Sequence, residues 1–253
     1  SLRLELKGYE MEEETCRISV AMASYNGEKY IGKQITSILD NLKEDAELVI
    51  SDDGSTDETV AIIQTIAKAD ARIRLLRGPG KGIKKNFEYA IANCKGDYIF
   101  LSDQDDIWAK DKVETVMRVF EQQNCSLVMH DAVVVNEDNT KEIMPSFFEY
   151  RKSKTGAFAN IVKNSYMGCC MAFRKELKEW ILPVPDEIQM HDQWIGVLND
   201  LKGSGSYMLD KKLLFYRRHE ENNSDFSHNT LPVMIKNRLI FVHALVQKLC
   251  QKN

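Results

Sequence analysis

No apolar run in this chain approaches the roughly 20 residues needed to span a bilayer. Positive charge is not in excess either: 34 Lys and Arg stand against 38 Asp and Glu, a formal net charge of -4. The chain therefore has no electrostatic footprint for duplex nucleic acid, and no nucleic-acid partner is expected. The 5 prolines and 13 glycines form no low-complexity linker, and no internal repeat is visible. The six cysteines (Cys16, Cys94, Cys125, Cys169, Cys170, Cys250) match no zinc spacing, and the adjacent Cys169-Cys170 pair cannot readily bridge within one strand. Reduced core thiols in a cytoplasmic protein are the expectation. Residues 1–16 lack the apolar core of a secretory leader and read as an N-terminal lead-in.

Several familiar ligand signatures are missing as well. Gly78-Pro79-Gly80-Lys81-Gly82 lacks the lysine-serine/threonine ending of a P-loop and the glycine spacing of a dinucleotide fold, and is read as a mobile loop. The run from Asp103 has neither the sixth-place glycine nor the twelfth-place glutamate of an EF-hand. His191-Asp192 is followed by no second histidine at zincin spacing.

What is present is an ordinary globular composition, 43% hydrophobic and 28% charged, with alternating strand and helix signals. Residues 18–22, 48–50, 73–76 and 98–101 read as buried strands. Between them, Ile31, Ile35, Ile38, Leu39 and Leu42 fall at helical spacing, as do Val60, Ile63 and Ile66-Ala67 behind a Ser55 or Thr56 cap, and Phe87, Ala90 and Ile91. This alternation predicts an α/β fold with a mostly parallel sheet. Beyond residue 110 a helix is expected over Val113 to Phe120, strands at 127–129, 133–135, 166–173 and 213–216, a long polar loop over 136–156, and helices over 190–201 and 231–249.

In parallel sheets, ligands bind beyond the carboxyl ends of the strands. Ser24-Tyr25-Asn26, Asp52-Asp53 and Asp103-Gln104-Asp105-Asp106 all fall at such ends. Three clustered carboxylates behind an apolar strand repel one another unless a cation joins them, and hard divalent ions such as Mg2+ or Mn2+ are held by carboxylates together with substrate phosphates. The acidic stretch therefore reads as a site for a divalent metal and the diphosphate it neutralises.

Five motifs in order, Ser24-Tyr25-Asn26-Gly27, Ser51-Asp52-Asp53-Gly54-Ser55-Thr56-Asp57, Leu101-Ser102-Asp103-Gln104-Asp105-Asp106-Ile107-Trp108, His191-Asp192-Gln193-Trp194 and Tyr216-Arg217-Arg218-His219, resemble the family-2 inverting glycosyltransferases. In motif form they are most similar to bacterial rhamnosyltransferase-like members. The resemblance implies a GT-A (nucleotide-diphospho-sugar transferase) fold: a mostly parallel central sheet flanked by helices, over 17–225, with a nucleotide-sugar half (17–108), an acceptor half (109–225) and a C-terminal helix segment (226–253). It implies a sugar moved from a nucleoside diphosphate donor, dTDP-rhamnose or a UDP-hexose, to a hydroxyl of a bacterial cell-surface polysaccharide or lipid-linked oligosaccharide.

Carried over residue by residue, the resemblance places Ser24, Tyr25, Asn26, Asp52, Asp53, Asp103 and Arg217 around the donor, and Gly168 either beside the sugar and acceptor or in a plain core strand. Asn86 matches a polar position near the donor or serves as a helix-start residue. Asp105, Asp103 and His219 are the implied metal ligands, and Asp192 the implied general base. Asp106 and Trp108 are expected to fix the loop, and Asp57 to cap the following helix. Two other readings stay open: a sugar-phosphate nucleotidyltransferase, which would need a basic glycine-rich triphosphate loop near the first strand, and a non-catalytic sugar-binding or scaffold module of the same fold. The C-terminal helix, with Lys236, Arg238 and Lys248 among its apolar residues, suits packing on the domain, self-association or contact with a membrane surface, which would place the protein at the inner face of the cell membrane.

Overall fold

The computed structural model describes residues 17–219 and 230–251. The expected lead-in, Cys16 and the junction over 220–229 lie outside the described residues. In chain order the first half runs β1 (Ile18–Ser24), α1 (Ile31–Leu39), β2 (Glu47–Asp52), α2 (Thr59–Ala69), β3 (Ile73–Arg77), α3 (Ile83–Asn93), β4 (Tyr98–Ser102) and β5 (Ile107–Trp108). The second runs α4 (Lys112–Gln122), β6 (Leu127–Asn136), β7 (Glu142–Met144), α5 (Phe147–Arg151), α6 (Ala157–Val162), β8 (Met171–Arg174), α7 (Lys178–Ile181), α8 (His191–Lys202), β9 (Ser206–Arg218) and α9 (Leu231–Gln251).

The strands form one sheet in the order β3-β2-β1-β4-β8-β6-β9-β5, with β7 beside β6. The first four are mutually parallel, and their register places Ser24 opposite Asp52 and Met22 opposite Ser102. Three carboxyl ends thus finish along one edge. Both faces of β1 and β2 are buried, which is why these strands read as continuous apolar runs rather than alternating ones. Helix α1 turns Ile31, Ile35 and Ile38 into the core, and its buried Gln34 donates through Nε2 to Ser102 Oγ and Asp103 O, both at 2.9 Å. One face of α1 therefore anchors the start of the acidic loop.

Strand β8 enters antiparallel between β4 and β6, and the long β6–β9 pair is parallel. Short β5 pairs with the far end of β9, matching Ile107 to Phe215 and Trp108 to Leu214. The acidic loop between β4 and β5 is consequently drawn over against residues 215–219.

Several local expectations are corrected. Residues 127–136 form one strand, whose register shifts around His130 to Val133, in place of two. The segment 136–156 contains β7 and α5; Ser146 caps α5 by accepting from Glu149 N. The expected strand over 166–173 begins only at Met171, because Gly168–Cys170 form a 3-10 turn. Helix α2 is not capped by Ser55 or Thr56: Asp57 Oδ1 accepts from Thr59 N at 3.0 Å, while Ser55 Oγ is taken by Asp52 and Asn26. Cys94, Cys125, Cys169 and Cys170 are free and buried, whereas Cys250 is exposed.

Candidate active site

The loop after β1 is pinned by backbone hydrogen bonds that leave one aromatic ring outside. Tyr25 N donates to Gln104 Oε1 and Gln104 Nε2 donates back to Tyr25 O, both at 2.9 Å. Asn26 sits at φ +46°, donates through its N–H to Ser55 Oγ, and accepts from Thr56 N with Oδ1. The Tyr25 side chain stays 56% exposed, available to a planar ligand.

Ser24, Asp52 and Asn86 form the buried frame beneath this loop. Asp52 accepts from Ser24 Oγ at 2.9 Å, from Ser55 Oγ at 2.5 Å and from Ser55 N at 2.9 Å. Asn86 Nδ2 donates to Ser51 O and Ser24 O, tying α3 to the ends of β1 and β2. These three side chains shape the edge from inside, and Asn86 acts as a strap between strands rather than as a helix start.

Asp53 differs from Asp52. Its two carboxylate oxygens each accept one backbone N–H, from Gly80 and Gly82, at 2.7 Å. Both glycines have positive φ (+67° and +83°), a conformation that side-chain-bearing residues avoid. The loop over 78–82, expected to be mobile, is therefore latched to Asp53, and Gly78 N adds a 2.7 Å bond to Asp52 O.

In the acidic loop, burial and then the neighbouring Asp105 and Asp192 charges push the Asp103 carboxyl up to about 7. Fully buried Asp106 is raised well above the usual carboxylate range, first by burial and then by Asp105 and Asp103. Its Oδ1 accepts from Arg217 N at 3.0 Å while its Oδ2 has no partner. Asp103, Asp106 and Cys169 bring one ligand atom each within 4.8 Å of one another. Across the loop, His219 Nε2 lies 2.8 Å from Asp105 Oδ2, and the imidazole stacks on Tyr30 at 4.6 Å. Oxygen and imidazole donors, a buried carboxylate oxygen without a partner, and neighbouring carboxyls raised by burial and by one another's charge together fit a divalent cation, which would relieve that repulsion.

Arg217, expected beside the diphosphate, has its guanidinium bonded to Asp105 O (2.8 Å) and Glu137 O. It clasps the acidic loop to β9. Two further groups shape the site, of which Lys112 carries no signal in the sequence. Lys112 is fully buried, bonds Cys169 O at 2.9 Å and lies 3.9 Å over the Trp108 ring; burial lowers its amine to about 8. Gln104 holds the β1 loop to the acidic loop, as described above.

Asp192 stands in the first turn of α8, 7% exposed. Its Oδ1 accepts from Gln193 N at 2.6 Å, and burial raises its carboxyl to about 6. Its neighbour His191 stacks on Phe87 at 4.2 Å, with both ring nitrogens buried and without hydrogen-bond partners, and burial lowers its imidazole to about 4. Gly168 faces this pair: a Cβ there would stand 3.2 Å from His191 Nε2 and 3.7 Å from Asp192 Cβ. The structure thus gathers Asp103, Asp105, Asp106, His219 and Asp192 at one end of the sheet.

A mixed sheet with an acidic loop at its switch from parallel to antiparallel strands, and a carboxylate at the head of a facing helix, defines a GT-A transferase. The profile of the family described as "Glycosyl transferase family 2" matches residues 19–181. The chain belongs to that family and is a glycosyltransferase. It is 29% identical over 205 residues to the putative teichuronic acid biosynthesis glycosyltransferase TuaG of Bacillus subtilis, covering 79% of this chain and 78% of that protein. Against the dTDP-rhamnosyl transferase RfbG of Shigella flexneri it is 29% identical over 214 residues, 79% and 72% of the two chains. Among solved structures, TarS 1-349 of S. aureus in complex with UDP-GlcNAc superposes with a TM-score of 0.71 at 20% identity; the match spans 89% of this chain and 66% of that one. The mannosyltransferase PcManGT of Pyrobaculum calidifontis, in complex with GDP-Man and Mn2+, gives 0.62 at 14% identity, over 93% and 74%. At these identities the two structures establish the fold.

Proposed function

We propose that the chain is a metal-dependent inverting glycosyltransferase that moves a sugar from a nucleoside diphosphate donor to a hydroxyl of a bacterial cell-surface polysaccharide or lipid-linked oligosaccharide, at the inner face of the cell membrane. The observation that carries the reading is the convergence of three strand ends, the acidic loop, His219 and Asp192 on one edge of the sheet. The names of TuaG and RfbG support a cell-surface glycan as product and dTDP-rhamnose as one donor; a UDP-hexose is the other.

In this reading the base and ribose lie along the Tyr25 ring and the Asp53-latched loop. Asp105 and His219 would hold Mn2+ or Mg2+, with Asp103 nearer the ribose or a metal-bound water, and the bound ion would offset charge on the departing diphosphate. Arg217 keeps the acidic loop closed from below through Asp105 O and Asp106. Asp192 takes the proton from the acceptor hydroxyl as that oxygen attacks the anomeric carbon from the side opposite the diphosphate. A carboxylate at its ordinary pKa of about 3.9 is a weak base toward an alcohol; burial of Asp192 raises its basicity, and the proton becomes acidic as the new bond forms. Gly168, without a side chain, lets His191 and Asp192 pack closely against its backbone, which sets the position of the Asp192 turn.

The test is a thermal-shift panel of UDP- and dTDP-sugars with and without Mn2+, followed by transfer assays with the best donor. Ligand that binds only the native state raises the melting temperature. A metal-dependent shift with one donor is the expected outcome. No shift with any donor would favour a scaffold of the same fold.

A further inference from the structure

We propose that α9, together with the end of α6, is a docking face for an anionic lipid bilayer. Helix α9 is seated on the rest of the protein through Phe241, Ala244 and Leu245, all under 5% exposed. Its outer side carries Leu231, Ile235, Leu239, Val242 and Val246, spaced by 4, 4, 3 and 4 residues, each between 40% and 71% exposed. At about 1.5 Å per residue the stripe is roughly 22 Å long. It continues onto α6, where Phe158 is 82% exposed; Arg238 Nε joins the two helices by donating to Val162 O at 2.9 Å.

Charge selects the occupant. Residues 231–251 contain Lys236, Arg238 and Lys248 and no Asp or Glu, and residues 151–163 contain Arg151, Lys152, Lys154 and Lys163, again without an acid. Both segments are wholly cationic in a chain whose net charge is -4. A second copy laid on this face would set like charge against like. An anionic headgroup layer supplies the complement, while the aliphatic stripe and Phe158 enter the acyl boundary, about 5–10 Å deep for helices of this kind. No helix among the described residues is long and apolar enough to cross a membrane, so α9 would lie along the surface. The face also adjoins the candidate base: Gln193 Nε2, one residue from Asp192, donates to Asn160 O of α6 at 2.7 Å. A lipid-tethered acceptor would then arrive beside Asp192. That last step rests on the proposed reading of Asp192; the bilayer contact does not.

The experiment is co-sedimentation of the whole protein, without donor or metal, with vesicles of phosphatidylglycerol and phosphatidylcholine in equal parts and of phosphatidylcholine alone. Wild type is expected on the anionic vesicles, weakened by raised salt, with little on the neutral ones. The Ile235→Glu/Leu239→Glu and Lys154→Glu/Lys236→Glu variants are each expected to bind roughly tenfold or more weakly, with circular dichroism and oligomeric mass unchanged. Equal binding to both vesicle types, no binding to either, or no effect of the two variants would overturn the proposal. So would a stripe variant that turns a dimer into a monomer while vesicle binding persists, which would assign the face to a second copy. Transfer activity enters none of these readouts, so their failure is separable from failure of the proposed reaction.

Discussion

His219 Nε2 and Asp105 Oδ2 stand 2.8 Å apart although 114 positions separate them in the chain. The β6–β9 and β5–β9 pairings bring them together, since they carry the end of β9 back across the acidic loop. Imidazole and carboxylate are both ligands for Mn2+, and each is oriented here by a second contact: Tyr30 stacks on the ring, and Arg217 Nε holds the Asp105 carbonyl. We expect His219→Ala and Asp105→Asn each to weaken Mn2+ binding by on the order of 10–100-fold or more, with smaller metal-dependent thermal shifts in the presence of donor. Unchanged Mn2+ titrations in both variants would remove these residues from the ligand set.

Asp192 gives a kinetic prediction with a defined sign. Asp192→Asn keeps the shape and removes the proposed base, so kcat should fall by about 10²–10⁴-fold while donor affinity holds. The base must be ionised to act, and burial raises it to about 6. In wild type kcat/KM should therefore fall as pH drops through about 6, approaching tenfold per unit below it. A profile flat down to pH 5 would refute the burial argument.

The parallel half of the fold and the gathering of its strand ends at one edge were legible because their signals are local. Ile31, Ile35 and Ile38 fall on one helix face, and the acidic residues follow an apolar strand directly. Lys112 was not legible. Nothing in its sequence neighbourhood marks it off from Lys110; the distant turn around Cys169 and the Trp108 ring together bury it. The insertion of β8 between β4 and β6 depends likewise on pairings across 42 to 76 positions, from Met129–Met171 to Tyr98–Arg174. The Asp53 latch was missed for a related reason: a glycine-rich loop reads as free until a carboxylate from another strand end is placed against its N–H groups.

His191 makes stability depend on pH. Its folded pKa of about 4 lies below the roughly 6.5 of an unfolded histidine. The stability tied to its neutral form is complete above about pH 6.5 and is lost as pH falls toward 4, a cost of a few kcal/mol at the low end. Asp103 and Asp192, raised in the folded state, act in the opposite direction: their contribution is present at low pH and lost as pH rises through about 6–7. Urea unfolding of wild type and His191→Leu at pH 7.5 and 5 separates the two, since both aspartates remain in the variant. The variant should gain relative stability at pH 5; an equal difference at both pH values would show that the imidazole is not held neutral.

Two glycines in helices should respond oppositely to alanine. A Cβ on Gly196 would stand 2.1 Å from the Tyr166 ring, and that ring cannot retreat because its hydroxyl is fixed by Asp200 Oδ2 at 2.7 Å and Ser206 Oγ at 2.8 Å. Gly196→Ala should cost about 1–3 kcal/mol of stability. Because α8 also carries Asp192 one turn earlier, shifting the helix should lower kcat too. Gly32, near the start of α1, would place its Cβ 3.6 Å from Ile62 Cγ2, an ordinary contact. Removing glycine's unfolded-state freedom there should stabilise the protein by roughly 0.5–1 kcal/mol. At about 2–4 °C per kcal/mol for a chain of this size, melting curves resolve both signs. A Gly196→Ala protein as stable and as active as wild type would mean that the Tyr166–Asp200–Ser206 brace yields, and that α8 is not held as rigidly as its hydrogen bonds imply.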